Sequence, residues 1–551
     1  MKSFRFLLMA GLIALGFGAC SDEVDVPKGG EELSGDVYMS FDLKLPTSRS
    51  TTDENDGQTN SNANPDYEVG LDKENKVSNI KVVLASESNG TYTKLAESAQ
   101  DKLVGSGSNY TVTFQSQDFE KLTKEQKEDV YVFVVCNPIA AFSSDNLFAG
   151  SGSVTENDLD LKTSIAKDNA FMMTNAELSK TVTIPADLKP YNSPSNPFDL
   201  GVVKVERTAA RFDYKSGATD DTYQIQDSKT VNGKVRPSVS IQLTDMALVN
   251  MSKNYYWLRR VAGASTTTEG QYDPNTISLC GLETPSNYVV DTDATDKLDG
   301  NAISFYYSST NGNVNVDPTT LTYTSIASIT TDDNWKGTDN EGNQLDGYKI
   351  WRYVTENTLP SISSQKNKYS TGVVFKGKMV EGKEQDAISL LSGNKAYVFN
   401  DVLYGTWEQV KEAAELKNTD TEAALVDPVL NTAYQIANAT VKENESDPDK
   451  DTAVNAGFTV YEKNSGTNEF NVFYYYWNRH NDNGRPNDMG IMEFAVVRNN
   501  VYKLSVTAID RFGHPGEPTG DPDDPDEDNK VYFRVGVQVL PWVVRVNNIE
   551  F

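Results

Sequence analysis

Cysteine, histidine and long apolar runs are scarce in this chain. Of 551 residues, three are cysteine and two are histidine. Cys20, Cys136 and Cys280 are too few for a disulfide scaffold. Cys136 closes the run Val130–Val135 and reads as a small buried hydrophobe, with a Cys136–Cys280 bridge left open as the one pairing an extracytoplasmic chain would allow. His480 and His514 are the only imidazoles, and no zincin, nucleophile-elbow or phosphate-loop pattern is present. Acidic pairs are so plentiful that none marks a site. The chain is therefore read as non-enzymatic and without a cofactor or metal; a secreted hydrolase would need a site that the sequence does not show. Basic charge is also short: 50 Lys and Arg face 79 Asp and Glu, a net −29. That excludes nucleic acid as a partner, which needs basic patches to displace counterions. Such acidity suits solubility at high local density.

The one long apolar run, Phe6–Phe17, is too short for a stable membrane span. It follows Lys2 and Arg5 and ends in Phe17-Gly18-Ala19-Cys20, the small-residue pattern of a lipoprotein signal peptide over residues 1–19. Cys20 is the expected lipidation site, holding the precursor to a membrane by acyl chains alone. An ordinary secretory signal with an accidental cysteine is the plainer alternative. Ser21-Asp22-Glu23 resembles the acidic export tag of Bacteroidetes surface lipoproteins.

What is abundant is β-pattern. Val37, Met39, Phe41, Leu43 and Leu45 fall on one face of a strand at 37–45, with polar residues between them. Further strands are expected at Val77–Ala85, Tyr110–Phe114, Tyr131–Val135, Val202–Tyr214, Ser238–Asn250, Gly372–Met379, Ala396–Asn400, Phe470–Trp477 and Val501–Ala508. Helices are few: Asp118 is placed as the cap of a short one running toward Asp129, and Thr406–Lys417 is the clearest. Long Asn, Asp, Ser, Thr and Gly loops separate the strands, so the fold class is all-β, of sandwich type.

Prolines 185, 190, 194 and 197 mark a boundary near 199. This gives an N-terminal β-sandwich domain at 50–199 and a C-terminal one at 200–512. Residues 513–529 read as an acidic, proline-broken tether; its aspartates lack the spacing of a calcium loop, which favours a solvated linker. Beyond it, at 530–551, Val531, Phe533, Val535, Val537 and Val539 form a second one-faced strand, Pro541 ends its ladder and Trp542 anchors the exit. A removable strand at 37–45, within a propeptide 20–49, and a tethered strand at the other end are what donor-strand polymerisation requires. The plainer reading makes the last strand an ordinary member of its own domain. The loop with Trp477, Arg479, His480 and Arg485 reads as a satisfied surface loop before a sugar- or peptide-binding one.

Several segments together carry a family likeness: the lipobox ending in Cys20, Tyr38-Met39-Ser40 before Arg49, Val132-Phe133-Val134-Val135 with Asn137, and Met172-Met173-Thr174. The others are Val205-Glu206-Arg207-Thr208-Ala209-Ala210-Arg211, Val497-Arg498-Asn499-Asn500-Val501-Tyr502, the acidic tether and Val539-Leu540-Pro541-Trp542. In this order they resemble the Bacteroidales fimbrillins, the type V pilins, in particular the short-fimbria major (stalk) subunit type. The loops between them do not. The resemblance implies two transthyretin-like β-sandwich domains in tandem and a cell outer membrane and fimbrial location. It implies cleavage between Arg49 and Ser50 by an arginine-specific surface protease. The freed groove then takes the C-terminal strand of another copy. Accessory anchor and tip subunits and host or bacterial surface receptors are the further partners implied. A surface glycan-binding lipoprotein that does not polymerise is the alternative; there, 37–45 stays attached and the terminal strand folds back.

Overall fold

The computed structural model describes residues 35–45, 70–99, 104–106, 108–231, 234–306, 321–332, 348–382, 392–416, 427–485, 488–517, 523–527 and 533–541. Cys20, Arg49, Ser50, Val531 and Trp542 lie outside these residues. The described part is mostly β with a few short helices, and among the described residues no helix is long and apolar enough to cross a membrane.

The first sheet has eight strands. They are β1 (Asp36–Lys44), β2 (Ile80–Ser88), β3 (Thr91–Glu97), β4 (Val104–Ser106), β5 (Asn109–Gln115), β6 (Tyr131–Cys136), β7 (Met173–Asn175) and β8 (Phe198–Arg207). Their order across the sheet is β3-β2-β6-β7-β8-β1-β5-β4. Both faces are covered, which is why β6 reads as a continuous apolar run. Val132 and Val134 face a core shared with β1, while Phe133 and Val135 join a second core that also holds Phe212, Trp257, Tyr353 and Val501.

Two further large sheets accompany it, beside several of two or three strands. One has the order β12-β9-β18-β19, from β9 (Ala210–Tyr214), β12 (Lys349–Val354), β18 (Asn500–Ile509) and β19 (Phe533–Pro541). The other runs β10-β11-β13-β17, from β10 (Thr222–Gln226), β11 (Val239–Val249), β13 (Gly372–Glu381) and β17 (Asn471–Trp477), with Thr324–Ser325 paired on β11. Between β13 and β17 sits an insertion with its own small core. Its three strands, β14 (Lys395–Phe399), β15 (Val402–Tyr404) and β16 (Thr459–Glu462), pack with helices Trp407–Ala414, Pro428–Asn438 and Lys450–Asn455 around Tyr397, Trp407 and Phe458.

Several sequence expectations change here. The single strand expected at Val202–Tyr214 is two strands in different sheets, parted at Thr208–Ala209. The boundary set at 199 falls inside β8, which completes the first sheet. The short helix is Ser116–Glu120 with Gln115 at its N-cap, so Asp118 lies within the first turn. The helix expected at Thr406–Lys417 is Trp407–Ala414, capped by Thr406, whose hydroxyl accepts from the Gln409 amide at 3.3 Å. Helices at 428 and 450 escaped the strand reading, though Asp427-Pro428 and Asp449 are ordinary start signals.

The sheets meet over a buried cluster of charges. Arg207, Arg211 and Arg498 are among the largest fully buried side chains. Arg211 places Nη1 2.9 Å from both Glu74 oxygens and Nη2 2.8 Å from Asp213, and the Tyr353 hydroxyl donates to Glu74 at 2.7 Å. Arg207 donates to the Glu74 carbonyl at 3.3 Å and shares Asn499 Oδ1 through its backbone and side chain. Burial pushes the Glu74 carboxyl up, but Arg211, Arg207 and Tyr353 outweigh it and hold the pKa below 4.5. That stabilisation is present above the unfolded pKa and is lost as pH falls through the folded one. Replacing Glu74 with Ala removes the carboxylate shared by Arg211 Nη1 and the Tyr353 hydroxyl and leaves the buried Arg207 and Arg211 with one countercharge fewer. We expect a loss of about 3–5 kcal/mol by denaturant unfolding, with Tyr353→Phe costing about 1 kcal/mol.

Candidate assembly groove and terminal strand

The period-two pattern at 37–45 becomes β1, and its apolar face is sealed. Val37, Met39, Phe41 and Leu43 are buried and Leu45 is half-buried at the strand's end. They pack with Val112, Phe114, Leu200, Val203 and Val205, and Phe41 stacks on Tyr110 with ring centroids 6.2 Å apart.

The position of β1 in its sheet is what the pattern alone did not reveal. It pairs antiparallel with β5 from Asp36 opposite Gln115 to Asp42 opposite Asn109, and parallel with β8 from Met39 opposite Phe198 to Lys44 opposite Lys204. The parallel register slips between Ser40 and Asp42, beside Gly201, whose φ of +81° suits glycine. Asn109 and Gln115 donate to Asp42 and Asp36 at 3.0 and 2.9 Å, closing the polar edge. Within the sheet, among the described residues, β5 and β4 reach the remaining strands only through β1. Taking β1 out leaves two unpaired ladders facing each other across an apolar trench. Four buried side chains at about 1.5–3 kcal/mol each come to roughly 6–12 kcal/mol before ordering costs. A whole domain has only about 5–15 kcal/mol of net stability, so an emptied trench must be refilled.

At the other end of the chain, β19 carries Phe533, Val535, Val537 and Val539. It lies antiparallel on β18, from Asn500 opposite Pro541 to Ile509 opposite Phe533. Pro541 is its last residue, as expected of a residue that cannot donate to a ladder. It is an edge strand: among the described residues it has β18 on one side and no strand on the other. The strand before it, β18, is buried along most of its length.

Residues 523–527 depart from the solvated linker expected of them. Asp523 contacts Lys368 at 2.8 Å and Lys366 at 3.3 Å. Asp526 is buried against Ser370, and Glu527 lies 3.4 Å from Arg479. The charges that the acidic run lacks are supplied from distant parts of the chain.

Two of the family-like segments, 205–211 and 497–502, meet at the junction. Glu206 meets Arg259 at 3.0 Å, Arg498 meets Glu356 at 3.2 Å, and Asn499, at φ +57°, bonds to Arg207. Asn137, at φ +51°, accepts from Ser78 and Asn79 and donates to Lys76 and Phe171. Complete burial drives the Glu206 carboxyl to about 7 despite Arg259. Glu74 belongs to this cluster and had no sequence signal. His480 is buried between Glu283 and Tyr502, and Arg479 contacts Glu493, so that loop is engaged internally. Cys136 and Cys280 are free and buried, each thiol pushed up by burial.

Residues 468–548 match the family model described as "Major fimbrial subunit protein type IV, Fimbrillin, C-terminal". The match spans β17, β18 and β19, and the family is a structural, non-enzymatic one. No curated protein matches the chain in sequence. Among solved structures, the chain is similar to a fimbrilin, FimA, of Porphyromonas gingivalis, at 14% identity and a TM-score of 0.37, covering 93% of this chain and 98% of that one. It is also similar to the C-terminally truncated tip fimbrial protein Mfa3 of the same organism, at 10% identity and a TM-score of 0.32, covering 92% and 100%.

Proposed function

We propose that this chain is a structural subunit of cell-surface fimbriae, of the short-fimbria stalk type, built as two β-sandwich domains in tandem and serving adhesion. It travels as a lipoprotein anchored at Cys20, is cut between Arg49 and Ser50, gives up β1 and receives β19 of another copy. The observation that carries this is the setting of β1. It is an interior strand with ladders on both sides, yet it belongs to the first stretch of the chain and leads directly to Arg49. The fimbrillin match over 468–548 supports the reading from the other end. So does the asymmetry of the two strands. As an edge strand, β19 has one ladder; in the trench it gains two.

N-terminal sequencing of the surface-assembled form tests this. Material beginning at Ser50 is expected; material beginning at Cys20 overturns it. Cys20→Ala should abolish surface filaments while leaving thermal unfolding of the globular part unchanged, because the role proposed for Cys20 is membrane attachment alone. Normal filaments from that variant would remove lipidation from the pathway.

A second reading, a glycan-binding surface lipoprotein that does not polymerise, also has β19 folded back on its own β18. A lone chain has no neighbour to take the strand, so this pairing accompanies either reading. Failure to find any multimer on the cell surface would select the second.

A further inference from the structure

The approach to β19 is longer than a hairpin needs. The chain leaves β18 at Ile509 and returns opposite it at Phe533, whereas hairpins close in about two to five residues. The intervening chain makes a detour with fixed stops. His514 exchanges backbone bonds with Phe473 at 2.8 and 2.9 Å, and Glu517 accepts from the Tyr323 hydroxyl at 3.0 Å. Residues 523–527 then lie along the turn at Gln365–Ser370.

That second stop has the features of a peptide site. The Asn367 amide donates to the Asp524 carbonyl at 3.1 Å, and the Asp526 amide donates to the Gln365 carbonyl at 3.2 Å, forming an antiparallel bridge of Lys366 with Pro525. Pro525 falls between the two bonding groups, where its missing N–H costs nothing. Side chains add to the backbone pairing: Asp523 to Lys366 and Lys368, Asp526 to Ser370, Glu527 to Arg479. The exposed lysine pairs contribute little each; the buried Asp526–Ser370 contact and the two backbone bonds give the site its definition.

The receiving surface is held by groups outside the segment. The Gln365 side chain donates to the Gly490 carbonyl at 2.8 Å and accepts from the Phe494 amide at 2.9 Å. The Asn250 amide group ties down the carbonyls of Asn367 and Ser370 at 2.9 and 2.8 Å. Arg479 sits 4.6 Å above the Phe494 ring and also contacts Glu493. None of these contacts involves β18 or β19, so all of them persist when β19 departs.

We propose that Asp523–Glu527 is an anchor: an acidic segment seated in a preformed site on Gln365–Ser370 and Arg479, which stays seated when the strand beyond it is handed to another copy. This rests on the strand-transfer reading. The donated strand then leaves from a fixed root at Glu527 instead of from Gly513. A short root limits how far and in which direction the neighbour sits, and so stiffens the joint between subunits.

The test uses the whole cleaved subunit, as monomer and as filament, with Ser370→Ala alone and Lys366→Glu combined with Lys368→Glu. Hydrogen exchange over 523–527 is the first readout. In the wild type the Asp526 amide should be protected in the monomer and remain so in the filament; either variant should speed its exchange by roughly tenfold or more. Filaments of the variants should bend more in electron micrographs. Absence of protection in the monomer overturns the site. Protection that vanishes on assembly, or variant filaments as stiff as wild type, overturns the anchoring role. If the wild-type monomer shows protection but never forms filaments, the strand-transfer reading fails with the anchoring role, while the seat itself stands.

Discussion

Deleting residues 531–551 should yield a folded, soluble subunit that is cut at Arg49 and never extends a filament. The described part of that segment is one edge strand. Without it β18 still has β9 beside it, and β9 still has β12. The partners described for Glu74, Arg211 and Arg498 are Asp213, Tyr353 and Glu356, none of them in β19. The loss therefore exposes one ladder edge and the apolar surface beside β18, a cost of a few kcal/mol, and leaves the eight-stranded sheet intact. Filament growth should fall below detection, seen as absent ladders in denaturing gels and no fibres in micrographs. Val535→Asp with Val537→Asp should do the same, since strand period places both on one face and each carboxylate would enter a trench lined by Val112, Phe114 and Val203 unpaired. Arg534→Ala and Gln538→Ala, on the other face by the same period, should be milder. If the truncated chain polymerises normally, β19 is not the donor. If it fails to fold, β19 is an ordinary strand of its own sheet.

The strands were legible because half-buried β-sequence carries its period in plain sight; β1, β5, β6, β11, β13, β17 and β18 each sit within a few residues of their expected places. Pairing partners were not legible. Nothing local in Val37–Leu45 says that Asp36 lies opposite Gln115 and Lys44 beside Lys204. The break in Val202–Tyr214 was hidden for the same reason: Thr208 and Ala209 interrupt no pattern, and only the two different sheets reveal the turn. At 523–527 the linker reading fails through a sum that is locally correct. Asp521–Asp528 is self-repelling as sequence, but Lys366, Lys368 and Arg479, far away in the chain, supply the opposite charge at 523–527. Glu74 was invisible because a lone glutamate in Leu71-Asp72-Lys73-Glu74 looks like surface until Arg211 and Tyr353 are folded onto it.

Arg49→Ala should trap the subunit as an uncleaved monomer, and the wild type, once cut, should still hold its severed strand until a neighbour's strand arrives. The second half follows from the setting of β1. A cut after Arg49 breaks one covalent bond beyond Leu45 and none of the ladder contacts to β5 and β8. The four buried side chains, worth roughly 6–12 kcal/mol together, keep the strand seated. Expulsion requires a competitor that offers a similar apolar face and the same two ladders, which a segment with Phe533, Val535, Val537 and Val539 provides by period. On the strand-transfer reading, cleavage is necessary and not sufficient. The fragment 20–49 should co-purify with cut monomer and be released in step with filament growth, as followed by mass spectrometry. A synthetic peptide of residues 530–551 should displace it from cut subunits, while leaving Arg49→Ala subunits unlabelled. Spontaneous loss of the fragment from a stable monomer would show that the trench needs no refilling. Labelling of the Arg49→Ala subunit to the same extent would show that the peptide binds elsewhere.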